Sequence, residues 1–249
     1  MTQAATPTRA NYGIDAPPII RNLALSGVGA ILAGIGLRAL LHDILPGLAI
    51  GLEIWGVFAG TANLITAGLM LWSSLSGKLI MRRQLIDSLH LRGDEQVLDI
   101  GCGHGLLLIE AAKRLTTGTA TGIDLWNVED QANNTAEATL VNARAEGVTD
   151  RVKLETGDMR KMPFPDSTFD VIVSSLAIHN IPDETGRADA IREINRVAKP
   201  GAQAALLDFM KTGEYERMLR ELGWQDVTRS GMSFLMFPPV RIVRGRKPQ

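Results

Sequence analysis

The stretch Gln96-Val97-Leu98-Asp99-Ile100-Gly101-Cys102-Gly103-His104-Gly105 decides the fold. Its first half reads as a short, largely apolar strand, which runs straight into glycines at positions 101, 103 and 105. Glycine lets a backbone turn tightly and approach a ligand with no Cβ in the way. Leu106–Leu115 then has a helical pattern. A nicotinamide fingerprint needs G-x-G-x-x-G, and Leu106 stands where its last glycine would be, so a dehydrogenase fits poorly.

Downstream the same alternation repeats. Strands are expected at 120–123, 152–155, 169–174 and 202–208, with helices at 132–145, 187–197 and 214–222. Two further strands follow at about 225–229 and 234–244. Strands alternating with helices predict an α/β, Rossmann-like, doubly wound and mostly parallel sheet of seven strands. The last two, joined by a short connection, should add an antiparallel pair at one edge.

Acidic residues close two of these strands or their turns. Asp124 ends Gly122-Ile123-Asp124, where a carboxylate can accept hydrogen bonds from both hydroxyls of a ribose. Asp158 follows Gly157, where it can accept from an adenine amino group, and Leu125 and Met159 are apolar neighbours able to sandwich the ring. All lie at strand carboxyl ends, where open α/β sheets bind ligands. Either acid could instead cap a following helix. Cys102 reads as a small packed residue rather than a nucleophile. His104 could cap a helix or meet a cofactor carboxylate, and Trp126 could line a substrate pocket or simply pack.

The series Val97–Gly105, Gly122–Asp124, Gly157-Asp158, Phe169–Val173 and Arg196–Gly201 resembles the class I S-adenosylmethionine-dependent methyltransferases. It looks most like their small-molecule branch, which includes ubiquinone and menaquinone methyltransferases. The resemblance covers about residues 78–245 and implies S-adenosylmethionine as cofactor. It implies that Asp99, Gly101, Gly103 and Gly105 surround the methionine part, with Asp124 on the ribose and Asp158 on the adenine. Ala202 stands where the family often has a second glycine; that touches a turn, not the cofactor. Ser174 opens the segment Ser174–Pro182 after the fourth strand, beside the expected sulfonium, and is grouped with the cofactor residues. Small-molecule members often carry a histidine where His179 stands. His179 is the candidate catalytic residue, as base or substrate-orienting group; the competing role is a structural histidine that holds the loop.

The chain before this domain is of another kind. Residues 1–18 read as a flexible tail ending in Pro17-Pro18, and 19–77 as a hydrophobic two-helix hairpin ahead of the methyltransferase domain at 78–249. Leu23–Leu37 carries no charge, and Leu48–Trp72 is interrupted chiefly by Glu53. Both runs have near-spanning length. Gly56 and Gly60, and Ser26, Ala30 and Gly34, recur at four-residue spacing, which lets helix backbones approach in lipid. A membrane hairpin fits best. A soluble helical cap over the active site explains the glycines less well, and a cleaved signal peptide fits least. Arg9 and Arg21 precede the hairpin, Lys78, Arg82 and Arg83 follow it, and no Lys or Arg lies between Ala39 and Glu53. The positive-inside bias therefore places the enzyme domain in the cytoplasm. Arg38 and Glu53 stand equally far from the turn at Leu45-Pro46, so they should pair across the helices unless Arg38 snorkels to the interface.

Composition excludes other classes. The net charge is -1, with two Tyr and six Phe, so neither a polyanion footprint nor a base-stacking surface is present and nucleic acid is not an expected partner. One cysteine and four scattered histidines offer no metal-ligand spacing. The expected function is a membrane-anchored methyltransferase for a small, lipophilic acceptor, with the lipid bilayer as partner through 19–77. The alternatives are a small polar or thiol acceptor, or a catalytically silent cofactor-binding partner protein.

Overall fold

The computed structural model describes residues 9–127 and 134–249, and the expected helix start at 132 lies outside them. The chain divides into two compact units, Ile14–Gly77 and the remainder.

The first unit is a pair of helices, α1 (Pro17–Leu41) and α2 (Pro46–Trp72). Each begins with a proline, which suits the first helical turn because its missing N–H would go unpaired there anyway. Gly27, Gly34, Gly56 and Gly60 are buried between them. A Cβ on Gly60 would lie 2.5 Å from Gly27 O, and one on Gly56 2.6 Å from Ala30 O. On α1 the close-packing glycines are therefore Gly27 and Gly34, whereas Ser26 is exposed and accepts a hydrogen bond from Asn63 Nδ2 at 3.2 Å. Arg38 and Glu53 form an ion pair across the two helices, as equal depth from the turn predicts. Both helices are long and apolar enough to cross a membrane. Their outer faces expose Leu25, Leu40, Trp55 and Phe58.

The second unit carries the sheet. Helix α3 (Lys78–Asp87) precedes β1 (Gln96–Ile100), α4 (Leu106–Ala112), β2 (Thr119–Asp124), α5 (Ala136–Ala145), β3 (Val152–Thr156) and β4 (Phe169–Ser175). Then follow α6 (Glu184–Val197), β5 (Ala198–Asp208), α7 (Thr212–Glu221), β6 (Gln225–Arg229) and β7 (Arg241–Arg246). The order across the sheet is β3-β2-β1-β4-β5-β7-β6. β1 to β5 are parallel, and β7 runs antiparallel to both β5 and β6. The sheet is doubly wound as expected, but the final hairpin is inserted with its last strand inward. The strand expected over 234–244 begins only at Arg241. Pro238 and Pro239 have no N–H to give a ladder, and residues 230–240 instead form a loop pinned by the paired backbones of Ser233 and Val240.

Alternation along the strands feeds two cores. Val97, Val171, Val173, Ala205 and Leu207 face α3, α4 and α5, and Leu98, Ile100, Ile172, Leu206 and Val243 face α6 and α7. Each fully buried Leu or Ile among them contributes about 1.5–3 kcal/mol of transfer free energy. Thr135 caps α5 by accepting from Ala138 N at 3.2 Å, and Asp183 caps α6 by accepting from Gly186 N at 2.7 Å.

The tail is ordered where it meets this unit. Asn11 N–H donates to Asn142 Oδ1 at 2.8 Å, and Asn142 Nδ2 returns a bond to Asn11 O at 2.9 Å. Tyr12 is buried, with the Arg82 guanidinium 4.5 Å from its ring centroid and its hydroxyl on Glu146. Lys78 Nζ donates to Tyr12 O and Gly13 O. A tail flexible through residue 18 does not describe residues 11–13, because one large aromatic side chain is enough to dock them. Lys78 and Arg82, read from sequence as membrane-flanking charges, are both buried with partners inside this unit.

Candidate cofactor and active site

Five parallel strands bring their carboxyl ends to one edge, and the site residues collect there. Gly101 and Gly105 have φ of +66° and +82°, the left-handed region that side chains disfavour. A Cβ on Gly101 would also fall 2.2 Å from the Ala177 Cβ. The glycine turn and the segment after β4 are therefore pressed together at Ala177, two residues before His179. Met159 joins them from the β3 side, its Cε 3.5 Å from that same Cβ position.

Asp124 organises the turn. Its Oδ2 accepts from Gly103 N–H at 2.8 Å, and its Oδ1 from Trp126 N–H at 2.7 Å and Asn134 Nδ2 at 3.1 Å. A carboxylate offers about four lone-pair sites, so this one retains capacity for a hydroxyl donor. Thr139 Oγ1 and Asn142 Nδ2 on α5 hold the carbonyls of Gly103 and His104. The turn is thus fixed from both sides before any ligand arrives.

Asp99 is buried and accepts from Leu108 N–H at 2.8 Å. Burial pushes its carboxyl up to about 8, with the Asp124 charge adding to the rise and the Leu108 bond opposing it. Burial also raises the Cys102 thiol well above its ordinary value, reinforced by Asp99 and Asp124. A thiol held protonated is a poor nucleophile, which agrees with a packed role. Asp158 is bound by the Arg160 guanidinium through both oxygens, at 2.9 and 2.6 Å for Oδ2 and 3.0 Å for Oδ1. That contact lowers its carboxyl below the ordinary range. An adenine amino group would share these oxygens with Arg160. Ser174 is buried and gives its hydroxyl to Ile100 O at 2.8 Å, tying the ends of β1 and β4. Leu125 is exposed, and Trp126 Nε1 donates to Thr156 Oγ1 at 2.8 Å.

The pair that sequence reasoning missed is on His179. Its Nδ1 lies 2.9 Å from Asp208 Oδ1 and 3.1 Å from Oδ2. Asp208 ends β5, the neighbour of β4, and is buried. It also accepts from Phe209 N–H at 2.8 Å and Tyr215 hydroxyl at 3.1 Å. The Phe209 ring meets His179 edge-on at 4.6 Å. With Nδ1 donating to the carboxylate, Nε2 carries the free lone pair. The available signal was an acid at the end of the strand after the one that precedes His179. Among the described residues no group of His, Cys, Asp and Glu could hold a metal ion.

Comparison with known proteins agrees with this architecture. Residues 97–201 match the methyltransferase domain family. The chain is 32% identical over 145 residues to a demethylmenaquinone methyltransferase of Lactiplantibacillus plantarum, covering 58% of this chain and 56% of that protein. It is 32% identical over 137 residues to a sterol 4-C-methyltransferase of Caenorhabditis elegans, covering 55% and 38%. It therefore spans only about half the length of these relatives, or less. In fold it is similar to a S-adenosylmethionine-dependent methyltransferase from Aquifex aeolicus, with a TM-score of 0.54, 19% identity, and coverage of 73% of this chain and 97% of that one. Residues 97–201 thus match a methyltransferase domain, and the likeness to these relatives and to this fold supports a class I, small-molecule, S-adenosylmethionine-dependent enzyme.

The glycine turn fits that cofactor. Its backbone is left-handed at Gly101 and Gly105, where a Cβ would also collide with neighbours, and an acid with spare acceptor capacity stands beside it.

Proposed function

We propose that this protein is a membrane-anchored methyltransferase acting on a small, lipophilic acceptor, with Asp99, Gly101, Gly103, Gly105, Asp124, Leu125, Asp158 and Met159 around the cofactor. Bound there, S-adenosylmethionine supplies a methyl group activated by its sulfonium. The observation that carries the proposal is Ala177 against Gly101, which seats the His179 loop on the cofactor turn. His179 takes the acceptor's proton at Nε2, and Asp208 orients the ring and offsets the charge the ring gains. Ser174 acts through the strand ends rather than by touching the cofactor.

The hairpin supports an anchor. Its outer faces expose large apolar side chains, as lipid contact requires, and the charges of Arg38 and Glu53 are paired with each other. Arg9, Arg21 and Arg83 remain exposed on the flanks, which keeps the positive-inside argument for a cytoplasmic domain. A lipophilic acceptor suits an enzyme held at a bilayer, and the relatives just described are named for a quinone and a sterol.

The test is to supply isotopically labelled methyl on S-adenosylmethionine to the full chain with separate lipid and aqueous extracts. Label in the lipid extract supports the proposal. Label confined to the aqueous extract sinks the lipophilic acceptor. Cofactor binding with transfer to neither extract points to the catalytically silent partner.

A further inference from the structure

The sheet edge that bears the site also bears an apolar surface that the methyltransferase function does not absorb. Phe209 and Met210, both exposed, follow β5. β6 runs in the same direction as β5, because each is antiparallel to β7; the loop after it therefore opens onto the same edge. That loop, Ser230–Val240, contains no charged residue. It is folded, not slack: Met236 and Val240 are buried, and Ser233 and Val240 are paired through their backbones. Yet it holds Phe234 out at 73% exposure and Met232 at 57%. Large apolar side chains held outward together on an uncharged loop mark a surface for a nonpolar partner.

The places where this unit continues into the hairpin lie on the same side. Gly13 and Lys78 are joined through Lys78 Nζ. Asn11 is one side chain from the glycine turn, since Asn142 bonds both Asn11 O and His104 O. We infer that this edge is a lipid-facing surface: the loop 230–240 dips Met232 and Phe234 into the bilayer interface, and the acceptor reaches the His179 side from the membrane. The inference rests on the anchored reading of the hairpin. The occupant is a bilayer because the chain leaves this unit beside the site for two helices of spanning length. Arg229 and Arg241 bracket the loop at headgroup level, where basic residues are favoured.

The test places an environment-sensitive fluorophore on the full chain in nanodiscs of phosphatidylcholine and phosphatidylglycerol, with or without nitroxide-labelled lipid. Labels go on Phe234→Cys, Met232→Cys, Asp94→Cys as an exposed control at the other edge, and Phe58→Cys in the hairpin. Cys102 is buried and stays unlabelled. Nitroxide lipid should quench positions 232 and 234 at least threefold and leave 94 unchanged. If 234 behaves like 94 while 58 is quenched, the hairpin is anchored and the lipid-facing edge is wrong. If 58 and 234 both escape quenching, the anchor and the edge fail together. Quenching at 234 without quenching at 58 removes the anchor and overturns the inference in the form that rests on it. A blue shift at 234 that grows with protein concentration in detergent assigns the surface to a second copy and overturns the inference.

Discussion

Replacing Asp124 by Asn separates its two jobs. One carboxylate oxygen holds Gly103 N–H, and the other holds Trp126 N–H and Asn134. An asparagine keeps one acceptor oxygen and turns the other into a donor. The cheaper orientation faces Trp126 and Asn134 with the oxygen and leaves Gly103 N–H unpaired. One unmade hydrogen bond at a largely buried group costs about 1–3 kcal/mol. At about 2–4 °C per kcal/mol for a domain of this size, the ligand-free protein should melt about 2–12 °C lower. Loss of the charged acceptor for a ribose hydroxyl should cost a further 1.5–3 kcal/mol or so in binding, roughly ten- to a hundredfold in affinity. Calorimetric titration with S-adenosylhomocysteine and a melting curve on the same sample read both quantities. Lower melting with unchanged affinity would confine Asp124 to holding the turn. Unchanged melting and affinity would refute the reasoning altogether, and binding of NAD instead of S-adenosylmethionine would overturn the cofactor.

His179→Ala and Asp208→Asn should each lower turnover about 10²–10⁴-fold with S-adenosylhomocysteine affinity nearly unchanged; loss within twofold in both makes His179 a loop residue. Because Asp99 titrates near 8 when folded and near 4 when unfolded, the ligand-free fold holds an extra proton between those values, and its stability falls as pH rises through that window. Asp99→Asn should flatten that stretch of the stability–pH curve, and an identical curve in both proteins contradicts the burial argument. Gly60→Ala places a Cβ 2.5 Å from Gly27 O and should destabilise the hairpin in detergent by about 1–3 kcal/mol, while Gly51→Ala, which meets open space, should do little; equal effects argue against close packing. Arg38→Leu and Glu53→Leu should couple by about 0.5–1.7 kcal/mol in a double-mutant cycle, and additive effects dissolve the pair.

Local pattern was enough for much of this. Alternation of apolar residues shows which strand positions face a core, so β1 to β4 and the glycine turn could be placed from sequence. The hairpin was legible because span length is counted along the chain, and counting from its turn matched Arg38 with Glu53; glycine spacing found Gly56 and Gly60 on α2 but missed Gly27 on α1. Tertiary structure alone decided what long-range packing decides. The contact of His179 with Asp208 spans 29 residues and exists because β5 lies next to β4. Tyr12 docks under Arg82 because α3 and α5 converge there, and nothing near residue 12 records that. Ser174 turns into the sheet because its strand neighbour offers the Ile100 carbonyl. The inward place of β7 likewise depends on which edge of β5 was free. Periodicity encodes a residue's face, whereas the neighbour across that face is set by how the whole chain packs.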